Sequence, residues 1–171
     1  AQFFPEGVDA ATKDYCSIAN EHHFNRLKGA LEGAVSGGAE IVCGGETSKS
    51  GLYFSPAILT GVGYNNPIME EEIFGPILPI VKVKNLDESI GYVNSNEKPL
   101  ALYLFSNKTS VHKKVLKNTS SGGMVINDCV LHHMNPNLPF GGINNSGVGS
   151  YHGKFGFDAF SHQKAVLKSS S

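Results

Sequence analysis

The strongest constraint on the fold is an alternation of apolar runs and amphipathic segments between residues 75 and 128. Three apolar runs, ILPIVKV, LALYLFS and GMVIND, are separated by two segments with helical periodicity, NLDESIGYVN and TSVHKKVLK. Near-continuous apolar strands joined by helices are typical of a parallel sheet that is covered on both faces. The sequence therefore predicts an α/β protein with a parallel, doubly wound sheet and a β-α-β-α-β core. At the first helix, Asn85 with Glu88 three residues later predicts a capping box.

An earlier segment, about residues 18 to 36, has the spacing of an amphipathic helix. Its apolar positions recur three or four residues apart, at Phe24, Leu27, Leu31 and Ala34. That spacing places them on one helical face, and the Gly37-Gly38 pair is expected to end the helix. Two short strands are predicted next, AEIVCGG and GLYFSPAIL, of which the second should bend or lie at an edge because it contains Pro56.

The chain beyond the third apolar run is expected to hold a binding site. Ligands of parallel α/β sheets bind beyond the carboxyl ends of the strands. Residues 130 to 153 follow that run, are rich in Asn, Gly, His and Pro, and show no regular period. Long loops without secondary structure are usually functional. The last segment, FSHQKAVLK, alternates and predicts a final strand.

Composition argues against several classes of partner. The 171 residues carry a formal net charge of -1, so nothing favours nucleic acid or an anionic membrane. No apolar run approaches the roughly 20 residues that span a bilayer, and the N-terminus does not resemble a secretory leader. Three widely spaced cysteines favour a reducing compartment. We therefore expect a cytoplasmic chain with no membrane segment.

The segment MEEEIFGPILPI places three consecutive carboxylates, Glu70, Glu71 and Glu72, directly before an apolar run. Adjacent carboxylates repel, and burying one costs several kcal/mol unless it is paired or hydrogen-bonded. Two arrangements satisfy this constraint. Either all three stay in solvent, or one is held inward because a ligand needs it.

The glycine-rich segment PFGGINNSGVGSYHG is a weak candidate for a phosphate cradle. Its Gly147-x-Gly149-x-x-x-Gly153 spacing is one residue too long for a dinucleotide fingerprint, and no strand directly precedes it. Glycines in such a segment favour sharp turns and close approach of the backbone to a neighbouring surface.

Cysteine and histidine offer further candidates. The run CVLHH contains metal-type ligands, but zinc needs a second ligand pair at suitable spacing and the sequence offers none, so no metal site is predicted. A catalytic thiol needs a pKa lowered by a base, a cation or a helix N-terminus. Cys16 precedes a helix and Cys129 follows a strand, so each is open to a nucleophilic or an incidental role.

Several motifs, taken in order, resemble one known family. They are EEIFGP at residues 71–76, KPLALYLFS at 98–106, TSSGG at 119–123 and PFGGINNSGVGSYHG at 139–153. Together they resemble the C-terminal part of the aldehyde dehydrogenases, and YHG with the later FSH resembles the class 3 branch. The resemblance covers nearly the whole chain. It implies that residues 1–161 are part of a catalytic domain and that residues 162–171 are a dimerisation strand and tail.

The resemblance also implies roles for particular residues. Glu72, directly before Ile-Phe-Gly-Pro, would accept hydrogen bonds from the nicotinamide ribose hydroxyls of NAD or NADP, and Phe74 would pack beside the nicotinamide ring. Glu70 and Glu71 would stay in solvent. Walls of the aldehyde pocket and the cleft are implied at Asn127, Asp128, Cys129, Val130, Phe140, Gly141 and Gly142.

The resemblance places the chemistry outside this chain. The family's nucleophilic cysteine lies in a Gly-Gln-x-Cys type motif, which is absent here, and none of Cys16, Cys43 and Cys129 matches it. We therefore expect the nucleophile, the general-base glutamate and the coenzyme domain upstream of residue 1. No catalytic residue is predicted within the chain, and the isolated chain should be inactive.

The expected function is NAD(P)-dependent oxidation of medium- or long-chain aliphatic or aromatic aldehydes to carboxylic acids. A homodimer paired through the final strand, Gln163 to Leu167, is expected. Two alternatives stay open: a truncated, non-catalytic module that binds a partner through that strand, and reuse of the fold to bind a nucleotide without chemistry. A membrane-associated full-length form also remains open.

Overall fold

The computed structural model describes residues 4, 7–9, 12 and 14–170. The chain divides into two compact units, Ala1–Lys82 and Val83–Ser171. Most of the polar lead-in at residues 1–13, where the predicted catalytic portion begins, lies outside the described residues. Among the described residues, no helix combines the length and the apolar character needed to cross a bilayer.

The first unit is organised around one amphipathic helix. Its elements are α1 (Glu21–Ser36), β1 (Glu40–Cys43), β2 (Thr47–Ser48), β3 (Tyr53–Phe54), β4 (Ala57–Thr60) and β5 (Ile77–Pro79). Asn20 caps α1, because its side-chain oxygen accepts a hydrogen bond of 2.9 Å from the amide of His23. The helix therefore begins slightly later than the apolar spacing alone indicated. Its buried residues are Phe24, Leu27, Leu31 and Ala34, which confirms the predicted apolar face.

A three-stranded sheet shares its core with that helix. Its order is β1-β4-β5, with β1 antiparallel to β4 and β4 parallel to β5, while β2 and β3 form a separate antiparallel pair. The predicted strand GLYFSPAIL is interrupted next to Pro56, which separates β3 from β4, and the two strands belong to different sheets. Phe54 and Leu59 from these strands are fully buried in one apolar cluster with Leu27 of α1.

The second unit contains the clearest β-α-β pattern. Its elements are α2 (Leu86–Ser95), β6 (Ala101–Leu104), α3 (Thr109–Asn118), β7 (Gly123–Ile126), α4 (Leu131–Met134) and α5 (Gly153–Ala159). Strands β6 and β7 are parallel, in register from the pair Ala101–Gly123 to the pair Leu104–Ile126. The cap of α2 differs in one detail: Asn85 accepts a hydrogen bond from the Glu88 amide as predicted, but the Glu88 carboxylate accepts one from the amide of Lys84 instead of that of Asn85.

The described strands form three small sheets, and two of these sheets contain a parallel strand pair. Strand β5 extends the first sheet through the hydrogen bonds Ala57 N to Pro76 O and Ile80 N to Leu59 O. The predicted α/β class is confirmed, with its parallel pairs β4–β5 and β6–β7.

The C-terminal third differs most from the sequence expectations. The predicted structureless loop at residues 130–153 contains α4, a 3-10 turn at Asn144–Ser146 and an antiparallel bridge between Phe140 and Tyr151. Helix α5 was not predicted, because its sequence GKFGFDA contains two glycines. Residues 162–170 are exposed and have no regular secondary structure, so the predicted strand at Gln163 to Leu167 is absent from this single chain. A strand needs a neighbour to bond, and pairing with a second copy stays a prediction.

Candidate functional site

The three consecutive glutamates lie on the surface of the first unit. They follow a 3-10 turn, Pro67–Met69, whose start is anchored by Asn66. The buried Asn66 amide donates to Ala34 O at 3.0 Å and accepts from Ile68 N at 3.1 Å. Glu70, Glu71 and Glu72 are all exposed. Solvation of all three carboxylates therefore accounts for the charge run, and Glu72 is available to accept hydrogen bonds from a ligand.

Phe74 has the most unusual conformation in this segment. Its backbone lies in the left-handed region, at φ 43°, and its side chain is 83% exposed. A bulky residue in that region is strained by about 1–3 kcal/mol. The ring gains little from packing in return, since most of it faces solvent. The neighbours differ, because Ile73 packs against the core and Gly75 lies where a Cβ would overlap the Leu27 side chain.

In the second unit, Asn127 joins the ends of the two parallel strands. Its backbone, at φ 61°, directly follows β7. Its amide donates to Leu104 O at 2.7 Å, and its side-chain oxygen accepts a hydrogen bond of 2.8 Å from the amide of Ser106. The side chain therefore fixes the chain path after both β6 and β7, at the carboxyl end where a ligand is expected.

The next residues form a tight turn into α4. Asp128 accepts a hydrogen bond of 2.7 Å from the amide of Cys129, and the Cys129 thiol is exposed. Val130 stands at φ 65° and is half exposed. Left-handed backbone at a β-branched residue is rare, and such outliers cluster at functional sites. These three residues offer one apolar side chain and one thiol to solvent.

Phe140 lies in a cluster of aromatic rings and histidines. Its backbone bridges Tyr151 through hydrogen bonds of 3.0 and 2.9 Å. Its ring centroid lies 4.8 Å from that of His133, 5.4 Å from that of His132 and 5.7 Å from that of His152, which it stacks. Because α4 follows the turn at Asn127 to Val130, the structure brings this turn and Phe140 into one neighbourhood of the second unit.

Two predicted cleft residues, Gly141 and Gly142, are required by close backbone contact. A Cβ on Gly141 would overlap the carbonyl oxygen of Gly149, and one on Gly142 would overlap that of Ser146. The prediction that glycines here permit close backbone approach is therefore confirmed. They set the position of Phe140, the residue just before them.

Sequence reasoning missed the neighbours of Phe140. The side chain of His132 is buried, with an exposed fraction of 9%. Neither of its ring nitrogens has a hydrogen-bond partner among the described residues. Its ring occupies the space of the absent side chain at Gly123, where a Cβ would lie 2.5 Å from His132 Cδ2. The run CVLHH flagged these histidines as metal-type ligands. The described residues contain no group of three or more side chains arranged to hold a metal ion.

The comparisons with known proteins agree on one family. The family model described as "Aldehyde dehydrogenase family" matches residues 6–166. The rat protein "Aldehyde dehydrogenase family 3 member A2" is 50% identical over 165 residues, which cover 96% of this chain and 33% of that protein. The rat protein "Aldehyde dehydrogenase, dimeric NADP-preferring" is 47% identical, over 94% of this chain and 35% of that protein.

Solved structures give the same result. The substrate-bound state of Staphylococcus aureus AldH matches with a TM-score of 0.84 and 42% identity, over 94% of this chain and 36% of that chain. The chain thus spans about a third of the length of the relatives it matches. The motifs, the fold and these matches lead to one conclusion: the chain belongs to the aldehyde dehydrogenase family.

Proposed function

We propose that this chain supplies the nicotinamide-facing loop and part of the aldehyde cleft of an NAD(P)-dependent aldehyde dehydrogenase. The observation that carries the proposal is the display of Glu72 and Phe74. One is an exposed carboxylate, and the other is an aromatic ring held in solvent on a strained backbone. Strain of this kind persists where the surrounding structure imposes it, and it is typical of ligand sites.

The two side chains fit the nicotinamide half of the coenzyme. A carboxylate is an acceptor-only group, so Glu72 suits the paired hydroxyls of a ribose. The exposed ring of Phe74 offers a flat apolar face to the nicotinamide ring. When bound, the coenzyme accepts the hydride from the substrate. The work of these residues is to orient it, through hydrogen bonds from the ribose to Glu72 and through contact of the nicotinamide with Phe74.

On the substrate side, Val130 and Phe140 are the apolar candidates. Both are held by unusual backbone features, one by a left-handed turn and the other by the close contacts of Gly141 and Gly142. An apolar wall suits medium- or long-chain aliphatic aldehydes and aromatic aldehydes, because it buries their hydrocarbon part.

The thiol nucleophile, its general base and the coenzyme domain are proposed to lie outside these 171 residues. Cys16, Cys43 and Cys129 are all exposed and unpaired, and none lies in the motif typical of the nucleophile. The free thiols also suit the cytoplasmic location that we propose. The isolated chain should therefore form no reduced coenzyme from any aldehyde. Formation that is abolished by replacing one of its own cysteines would contradict this part of the proposal.

The coenzyme role is tested by fluorescence titration of the complete protein with NADPH. Glu72→Gln should weaken binding about tenfold, because charge-assisted hydrogen bonds contribute about 1.5–3 kcal/mol. Glu70→Gln is the matched control, since it removes the same charge from the same surface two residues away. Equal affinities for both variants and the native protein would contradict the proposal.

A second candidate function is supported by exposed apolar side chains of α5 and of the C-terminal segment after it. Phe157, Phe160, Val166 and Leu167 are between 72% and 96% exposed. Such a surface favours association, either within a homodimer of the enzyme or as a non-catalytic module that binds a partner chain. The mass of the native protein distinguishes the two. A species near 18.3 kDa would favour the module, and a much heavier one would favour the enzyme.

A further inference from the structure

One side chain of α1 reaches across the first unit to the loop that displays Glu72 and Phe74. Arg26 Nη2 donates a hydrogen bond of 2.6 Å to the carbonyl oxygen of Ile73. The two residues are 47 positions apart in the chain, so the contact is tertiary and not a local turn. The donor is charged, which makes the bond stronger than one between neutral groups.

The next residue of α1, Leu27, packs against Gly75, the residue that follows Phe74. Leu27 is fully buried, and its side chain fills the space next to the Cα of Gly75. Consecutive residues of α1 thus contact the residues that flank Phe74 in sequence. Arg26 fixes the peptide bond before Phe74, and Leu27 fixes the position of the residue after it.

The loop depends on contacts from α1 because the Phe74 side chain itself makes few packing contacts. Its ring is mostly in solvent, and its left-handed backbone is not one that a phenylalanine adopts freely. The Ile73 carbonyl belongs to the peptide unit that sets φ of Phe74. A bond to that carbonyl therefore acts directly on the strained torsion.

We propose that Arg26 is a positioning residue that fixes the Ile73–Phe74 peptide and so orients Phe74, with Glu72, toward the nicotinamide. The inference rests on the proposed function for the identity of the ligand. Arg26 does not touch the coenzyme in this scheme. It acts through the loop, and its loss should leave the helix and the core in place.

The chain offers a close control on the same helix. Lys28 is an exposed cation two residues further along, and it faces Glu32 at 3.8 Å instead of the loop. Lys28→Ala removes a positive charge from α1 without touching the Ile73 carbonyl. Arg26→Lys retains one charged donor and should restore part of the effect of Arg26→Ala.

The first test uses this chain and needs no coenzyme. Limited chymotrypsin digestion, followed by mass spectrometry, measures cleavage after Phe74 relative to cleavage after Phe160, which is 94% exposed and serves as an internal reference. Arg26→Ala should raise the relative rate at Phe74 about tenfold. Arg26→Lys should give an intermediate rate, and Lys28→Ala should match the native chain. An unchanged rate in Arg26→Ala would overturn the inference.

The second test measures NADPH affinity in the complete protein, alongside steady-state KM for the coenzyme and kcat. Arg26→Ala should weaken binding and raise KM several-fold, and Arg26→Lys should recover part of both. Faster cleavage at Phe74 with an unchanged coenzyme affinity in Arg26→Ala would overturn the inference if Glu72→Gln still weakened binding. If Glu72→Gln also left binding unchanged, the proposed function would fail, while positioning of the loop by Arg26 would stand.

Discussion

The two candidate regions are built in opposite ways. The loop of the first unit presents Glu72 and Phe74 to solvent, and it is held by a hydrogen bond from Arg26, a residue of helix α1. The cluster around Phe140 in the second unit is stabilised by its own packing, through stacked rings and through glycines whose backbone lies close to other backbone segments. A displayed side chain can therefore change without loss of the fold, whereas a side chain in a packed cluster is part of the fold.

The largest effect is expected at Gly142. In Gly142→Ala the new Cβ overlaps the Ser146 carbonyl, and backbone on both sides must move. We expect the free energy of unfolding to fall by about 3 kcal/mol, as measured by urea denaturation. Gly91→Ala in α2 is the control, since nothing lies near its Cβ and alanine should add about 0.5–1 kcal/mol in a helix. Equal stabilities for the two variants would contradict the account of the second unit.

The pair formed by Gly123 and His132 tests the packing of the same cluster. Gly123→Ala should lower the free energy of unfolding by about 2 kcal/mol, because its Cβ meets the buried imidazole. His132→Ala removes the obstacle, so the double variant should be more stable than the sum of the single changes predicts, by about 1–2 kcal/mol. Additive changes in a double-mutant cycle would show that the two residues do not share this space.

Replacing phenylalanine by asparagine should change the free energy of unfolding in opposite directions in the two regions. Phe74→Asn places a residue that tolerates left-handed backbone at φ 43° and should raise the free energy of unfolding by about 1 kcal/mol, while coenzyme binding weakens. Phe140→Asn removes a ring from the cluster and should lower the free energy of unfolding by about 2 kcal/mol. Thermal denaturation of both variants measures this, and losses of similar size would remove the contrast between the regions.

The smallest effect concerns pH and lies in the first unit. Burial raises the pKa of Tyr15 above its ordinary value of 10.0, with the neighbouring Tyr53 and Cys16 adding to the shift. The Tyr15 hydroxyl also donates to Phe54 O at 2.8 Å. A raised pKa favours the protonated form in the folded state, so its contribution to stability is complete below pH 10 and declines as the pH rises through the folded-state pKa. Urea denaturation between about pH 9 and 11 should show a steeper decline for the native chain than for Tyr15→Phe, and parallel declines would contradict the assignment.

Local patterns carried much of the fold. The apolar spacing of α1 and the Asn85 cap of α2 follow from neighbours within a few residues, so the sequence alone predicted them. Helix α5 was missed because its two glycines disfavour a helix.

The candidate site was harder to predict from the sequence than the fold. Motif resemblance selected Glu72, Phe74 and Phe140, but no spacing rule indicated that His132 would enter the space beside Gly123. That contact depends on the left-handed turn at Val130, and the stacking of His152 on Phe140 depends on a second left-handed residue, since His152 stands at φ 87°. Conformations of this kind are unusual for these residue types and give no local signal in the sequence.

The most direct test of the central claim is a crystal structure of the complete protein with NAD(P)+ bound. We expect both hydroxyls of the nicotinamide ribose to lie within hydrogen-bond distance of the Glu72 carboxylate, at about 2.5–3.0 Å, with the Phe74 ring against the nicotinamide. A bound coenzyme whose nicotinamide ribose is held by other residues, with Glu72 and Phe74 still in solvent, would contradict it.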